Sequence, residues 1–75
     1  MKNINSLFGQ QIRELRKNRN LSQEALAHLA DIHRNHLGGI ERGENSPSLE
    51  TLFKLSMALN TELSGILNKI EKEIE

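Results

Sequence analysis

Arg34 and Asn35 stand side by side in the run HRNH, and between them they carry the chemistry needed to read base edges. An arginine fork can pair with guanine O6 and N7 and an asparagine amide with adenine N6 and N7, each good pair discriminating by about 1–3 kcal/mol. His36 is a further candidate for a base or phosphate contact, and His33 for a helix cap or an approach to the backbone. Upstream, Ser22 and Gln23 open an apolar-periodic run. At a helix start the free backbone N–H groups and the helix dipole favour an anion, so these two are candidates for a phosphate clamp, with Ser22 also serving as N-cap. Other chemistries find little footing. His33 and His36, with His28 and Asp31 nearby, meet no recognised metal-ligand spacing, and there is no GxGxxG or phosphate loop. No enzyme, metal or cofactor is expected.

The elements that must position these residues are all helical, since short segments with apolar residues at steps of three and four are separated by turn signals and none alternates like a strand. The first helix runs from near Ser6 to about Asn18, with Leu7, Phe8, Ile12 and Leu15 inward and Arg13, Arg16 and Lys17 on the other face. The second, Gln23 to Ala30, buries Ala25, Leu26 and Leu29, and Asp31 and Ile32 form a tight turn. The third, roughly Arg34 to Arg42, buries Leu37 and Ile40 and ends at Gly43 in a left-handed conformation. Glu44 to Ser48 is a loop, and Ser48 caps a fourth helix with Leu49, Leu52, Phe53, Leu55, Ala58 and Leu59 as core. Asn60 ends it, Thr61 caps the next, and a fifth helix from about Glu62 to Glu73 presents Leu63, Ile66, Leu67, Ile70 and Ile74. Gly38 and Gly39 are costly inside a helix, about 1 kcal/mol each relative to alanine. Either their bare backbone permits a close approach by DNA or a neighbouring helix, or the segment frays.

Seventy-five residues make one domain, and with no cysteine its stability must come from an apolar core. No apolar run is long enough for a membrane span and the first residues lack signal-peptide features, so a cytoplasmic, soluble protein without a membrane partner is expected. Ten basic and ten acidic side chains cancel, but unevenly. Met1 to Gly43 holds seven Lys/Arg against four Asp/Glu, a net of +3, and Glu44 to Glu75 three against six, a net of −3. Such a chain can set its first half against a polyanion and turn its acidic end away.

LSQEALA, followed by the apolar-x-x-IERG ending of Leu37 to Gly43 and then by NSPSLETLFKLSMALN, resembles the lambda-repressor/Cro-type (XRE-like) helix-turn-helix family over about residues 7 to 67. Within it, HRNHLGGIERGENSPSLE looks most like the controller proteins of restriction-modification systems. The resemblance implies a compact five-helix fold in which helices two and three form the helix-turn-helix, the third entering the major groove. It matches Arg34 and Asn35 to base-reading positions and Gln23 to a phosphate-binding one. It pairs Arg16 with Glu41 as a buried ion pair that fixes the third helix. Arg42, Asn45, Ser46 and Ser48 surround the following loop, where backbone phosphates would pass.

The apolar stripe of the fifth helix continues after a four-helix core would be complete, which predicts a homodimer burying Leu63, Ile66, Leu67 or Ile70 across a two-fold axis. Two recognition helices would then lie about one DNA turn, roughly 34 Å, apart. The expected function is a dimeric, sequence-specific transcriptional regulator of a pseudo-palindromic operator in double-stranded DNA, with RNA polymerase a further candidate partner. The alternatives are a phage-type repressor and, from another class, an antitoxin-like protein-interaction module.

Overall fold

Helices in this chain begin where a short polar side chain can take up a free amide. In the computed structural model, which describes residues 3–74, Asn3 Oδ1 accepts from the Asn5 and Ser6 amides at 2.9 and 3.4 Å, Ser22 Oγ from Ala25 at 3.0 Å, and Ser48 Oγ from Thr51 at 3.1 Å. His33 does the same through Nδ1, 3.1 Å from the Asn35 amide. These caps open α1 (Ile4–Asn18), α2 (Gln23–Ala30), α4 (Leu49–Ala58) and α3 (Arg34–Glu41); α5 is Leu63–Ile74. The described residues contain no strand, so the fold is all-α with five helices. Met1, Lys2 and Glu75 of the expected domain lie outside them.

The four inter-helix turns share one device. Asn20, Asp31, Gly43 and Asn60 each have φ between 51° and 77°. The residue after each returns its amide to a carbonyl five positions back: Leu21 to Arg16, Ile32 to Ala27, Glu44 to Gly39 and Thr61 to Ser56, all at 2.9–3.1 Å. This is the Schellman arrangement, which satisfies the orphan carbonyls and reverses the chain within two residues. Asparagine, aspartate and glycine tolerate the left-handed region best, so the sequence marks these turns.

The core comprises Leu7, Phe8 and Ile12 of α1, Leu26, Ala27 and Ala30 of α2, Leu37 and Ile40 of α3, Leu55 and Leu59 at the end of α4, and Leu63, Ile66 and Ile70 of α5. Gly9 brings α1 onto α3, since a Cβ there would overlap the Ile40 and Glu41 carbonyl oxygens. The position of α3 is therefore set by close approach of its backbone to that of α1.

Several expectations are corrected. The Asn3 cap starts α1 at Ile4, two residues before Ser6. Arg42 is the C-cap of α3, outside the helix, and α5 starts at Leu63, two residues after Thr61, whose hydroxyl donates to the Leu59 carbonyl and accepts from Arg19 Nη2. Arg16 is buried, not on a solvent face. In α2 the small Ala27 and Ala30 turn inward and Leu29 is exposed. In α4 the inward positions are Thr51, Leu52, Leu55, Ser56 and Ala58, while Leu49, Phe53 and Met57, at steps of four on another side, face solvent. In α5, Leu63, Ile66 and Ile70 close the chain's own core, leaving only Leu67 of the expected dimer residues exposed. The four-helix core was not complete without α5: the stripe has a partner within the chain.

Candidate nucleic-acid interface

The interface is assembled around Glu41, the last residue of α3. Arg16 grips its carboxylate through Nε, 2.7 Å from Oε2, and Nη2, 3.1 Å from Oε1, and spends Nη1 on the Leu21 carbonyl at 2.8 Å. The Gln23 amide adds a third hydrogen bond, Nε2 to Glu41 Oε1 at 3.0 Å. Side-chain exposure is 11% for Arg16 and 3% for Glu41, so the charges are shielded and every hydrogen bond counts. One cluster thus ties the end of α1, the turn before α2, the start of α2 and the end of α3. Breaking it would leave a buried charge, which fixes the relative placement of the two helices.

On this base the polar face is laid out. Arg16, Ser22, Gln23, Glu24 and Arg34 line one shallow recess, which brings the start of α2 beside the start of α3. Ser22 is a cap by its hydroxyl, and the remaining first amides of α2 have no intrahelical partner. Arg34 and Asn35 are exposed in the opening turn of α3, Arg34 lying 3.6 Å from Glu24 across the two helices. His33, with Nδ1 occupied by the Asn35 amide, serves as the cap. His36 is half-buried one residue farther on. Ser46 is exposed in the α3–α4 loop, on the far side of the recess residues in sequence and not among them.

The double glycine finds its explanation here. α3 is helical through Gly38 and Gly39, so the segment is not frayed, and the space is used by other side chains. A Cβ on Gly38 would stand 3.1 Å from Arg42 Nη1 and 3.8 Å from Gln23 Oε1, and one on Gly39 would overlap the Asn45 amide. Bare backbone in α3 therefore lets Arg42 and Asn45 lie close over the helix. Arg42 in turn donates from Nε and Nη2 to the two Glu44 oxygens at 2.9 and 3.2 Å. These hydrogen bonds, then the guanidinium charge, hold the Glu44 carboxyl below its ordinary range and raise Arg42 above its own. Glu24 and Glu44 beside the two arginines were not singled out by sequence reasoning. The signal was present: Glu44 follows the turn glycine, and Glu24 stands in the first turn of α2.

Comparison with known proteins decides what such a face belongs to. The helix-turn-helix family profile matches residues 12–66. The chain belongs to this family, and with it to the DNA-binding transcription regulators. Among its relatives, control protein C.BamHI of Bacillus amyloliquefaciens is 42% identical over 88% of this chain and 83% of its own length. Control protein C.MunI of a Mycoplasma species is 39% identical over 97% of this chain and 100% of its own. The crystal structure of the restriction-modification controller protein C.AhdI from Aeromonas hydrophila superposes with a TM-score of 0.81 at 44% identity, covering 83% of this chain and 94% of that one. In this helix-turn-helix, α2 and α3 are the two motif helices. Among the described residues no helix is long and apolar enough to cross a membrane, and no group of three or more His, Cys, Asp or Glu could hold a metal.

Proposed function

We propose that the protein acts as a homodimer on a pseudo-palindromic operator in double-stranded DNA and controls a restriction-modification operon. The observation that carries this reading is the meeting of Ser22, Gln23 and Arg34 around one recess beside the exposed opening turn of α3. In that arrangement Arg34 and Asn35 read base edges, with His36 beside them. Gln23, Arg42, Asn45 and Ser46, with the free amides after Ser22 and the outer edge of His33, hold phosphates. Control of a restriction-modification operon is carried over from the relatives that align along nearly their whole length, C.BamHI and C.MunI.

The surface that supports the dimer shares only Leu67 with the expected one, since Leu63, Ile66 and Ile70 are buried in the chain's own core. Leu49 (66% exposed), Phe53 (50%), Met57 (76%) and Leu67 (38%) line one open groove between α4 and α5, and none of them belongs to the recess. Apolar side chains gathered in this way mark an interaction surface. The molecule measures 33 × 22 × 22 Å, so two copies joined through this groove are of the size to present recognition helices about 34 Å apart.

Selection of bound duplexes from a random pool tests the reading. A palindromic consensus with half-sites about one turn apart supports it, and retention of all sequences alike overturns it. Within the selected operator, Arg34→Ala should relax preference at one base pair of each half-site. Gln23→Ala should weaken operator and random DNA together and flatten the salt dependence. RNA polymerase is tested separately, by whether its recruitment to the selected operator depends on the bound protein.

A further inference from the structure

One of the four Schellman turns departs from the others. Schellman turns commonly place an apolar residue after the left-handed one, and here Leu21 and Ile32 pack on the core while Thr61 is half-buried. After Gly43 comes Glu44, exposed, its backbone fixed by the 2.9 Å bond to Gly39 and its carboxylate occupying two donors of Arg42. The side chains are 60% and 59% exposed, and an ion pair that open contributes little to folding. The placement therefore asks for another reason.

We propose that Glu44 is a built-in competitor for the DNA phosphate at Arg42, a specificity determinant that holds down binding to non-operator DNA. The inference rests on the DNA-binding reading above. An arginine fork takes a carboxylate or a phosphate by the same bidentate geometry, so both anions seek the same donors. Glu44 is tethered two residues from Arg42 and ionised throughout the neutral range, which makes it present at every encounter. On random DNA nearly all affinity comes from phosphate contacts and no base contact fixes the register, so a phosphate must displace Glu44 unaided and then face its charge. Freeing Arg42 from this exposed pair costs the same small amount on either duplex, but on the operator base contacts seat α3 and fix one phosphate on Arg42 with the displaced Glu44 turned from it, so that its charge opposes only the unfixed phosphates drawn to Arg42 on random DNA. Arg42 Nη1, lying over Gly38 and outside the two bonds to Glu44, remains available to begin it.

The test compares Glu44→Gln with the parent protein on the selected operator and on a random duplex of equal length, across about 50 to 200 mM salt. Glu44→Gln should raise affinity for the random duplex about fivefold at the lowest salt, steepen its salt slope by about one ion, and change operator affinity less than about twofold. In an Arg42→Ala background the same substitution should change nothing, because the competitor has lost what it competes for. Three results overturn the proposal: unchanged random binding, equal gains on both duplexes, or the same gain without Arg42, which would mark general charge repulsion. A parent protein that prefers no selected duplex would bring down the DNA reading and this inference together. A parent that does prefer one, with Glu44→Gln inert, brings down the inference alone. Both variants change exposed side chains, and an unaltered melting curve verifies that they fold.

Discussion

The two exposed faces of this chain are made of opposite materials, yet both are presented by short helices with the same period. Around α3 the surface is polar, and its arginines are met by carboxylates, Arg34 by Glu24 and Arg42 by Glu44. Between α4 and α5 it is apolar, with Leu49, Phe53, Met57 and Leu67 open to solvent. Beneath the first lies a buried charge cluster that fixes geometry; beneath the second lies ordinary core, Leu55, Leu59, Leu63 and Ile66. A surface that must match hydrogen-bonding groups on DNA needs rigid orientation, whereas one that buries apolar area tolerates adjustment. The difference predicts how each face fails.

On the polar face the largest effect should come from Glu41→Ala. It leaves the Arg16 guanidinium buried without its partner and frees Gln23, at a cost of about 3–5 kcal/mol. In a domain of this size the melting temperature should fall by more than about 12 °C. An unshifted melt would show that the cluster does not organise the polar face. Next comes Phe53→Lys with Met57→Lys on the apolar face. Both side chains are at least half exposed, so the variant should fold, sediment as a monomer and lose about 100-fold in operator affinity as the joined half-sites become independent. A persisting dimer would move the interface elsewhere. Ile66→Asp, by contrast, should abolish folding itself, because Ile66 is 2% exposed in the chain's own core.

The two faces were unequally legible in the sequence, for a physical reason. Helix number, the Ser22 and Ser48 caps and the turns at Asn20, Asp31, Gly43 and Asn60 follow from local chemistry, since capping and left-handed φ select particular residue types. The base-reading and phosphate candidates were readable as residue types, and the family resemblance supplied the Arg16–Glu41 pairing. The apolar face was misread. α4 carries apolar residues on two sides, and periodicity cannot say which side meets the core, so Leu49 and Phe53 read as inward from sequence although both face solvent. The same ambiguity gave Leu63, Ile66 and Ile70 to a partner when α5 packs them internally. The buried Thr51 and Ser56 are the reason α4 looked different: both hydroxyls find partners nearby, Thr51 at Ser48 Oγ and Ser56 at the Phe53 carbonyl, so they can face inward. The role of Gly38 and Gly39 was equally hidden, because what fills their space comes from residues elsewhere in the chain.

Gly39→Ala sharpens the polar side of the comparison. Its Cβ would displace the Asn45 amide, while alanine raises helix propensity by about 1 kcal/mol. Stability should hold or rise as operator affinity falls about tenfold, about 1.4 kcal/mol, in a gel-shift titration. Unchanged affinity would remove Asn45 from the interface.

The smallest effect belongs to the other face. Gly65 is exposed within α5 and a Cβ there would meet nothing within 4 Å, so Gly65→Ala narrows the unfolded ensemble without native strain. The expected gain is about 0.4–1 kcal/mol, read as a melting point higher by a few degrees, with the monomer–dimer equilibrium and operator affinity unmoved. Gly65 lies in sequence between Ser64 and Leu67, which line the groove, without lining it itself. A methyl group that altered dimerisation would mean that the partner reaches around α5, and the apolar face would then be wider than the four exposed side chains that define it.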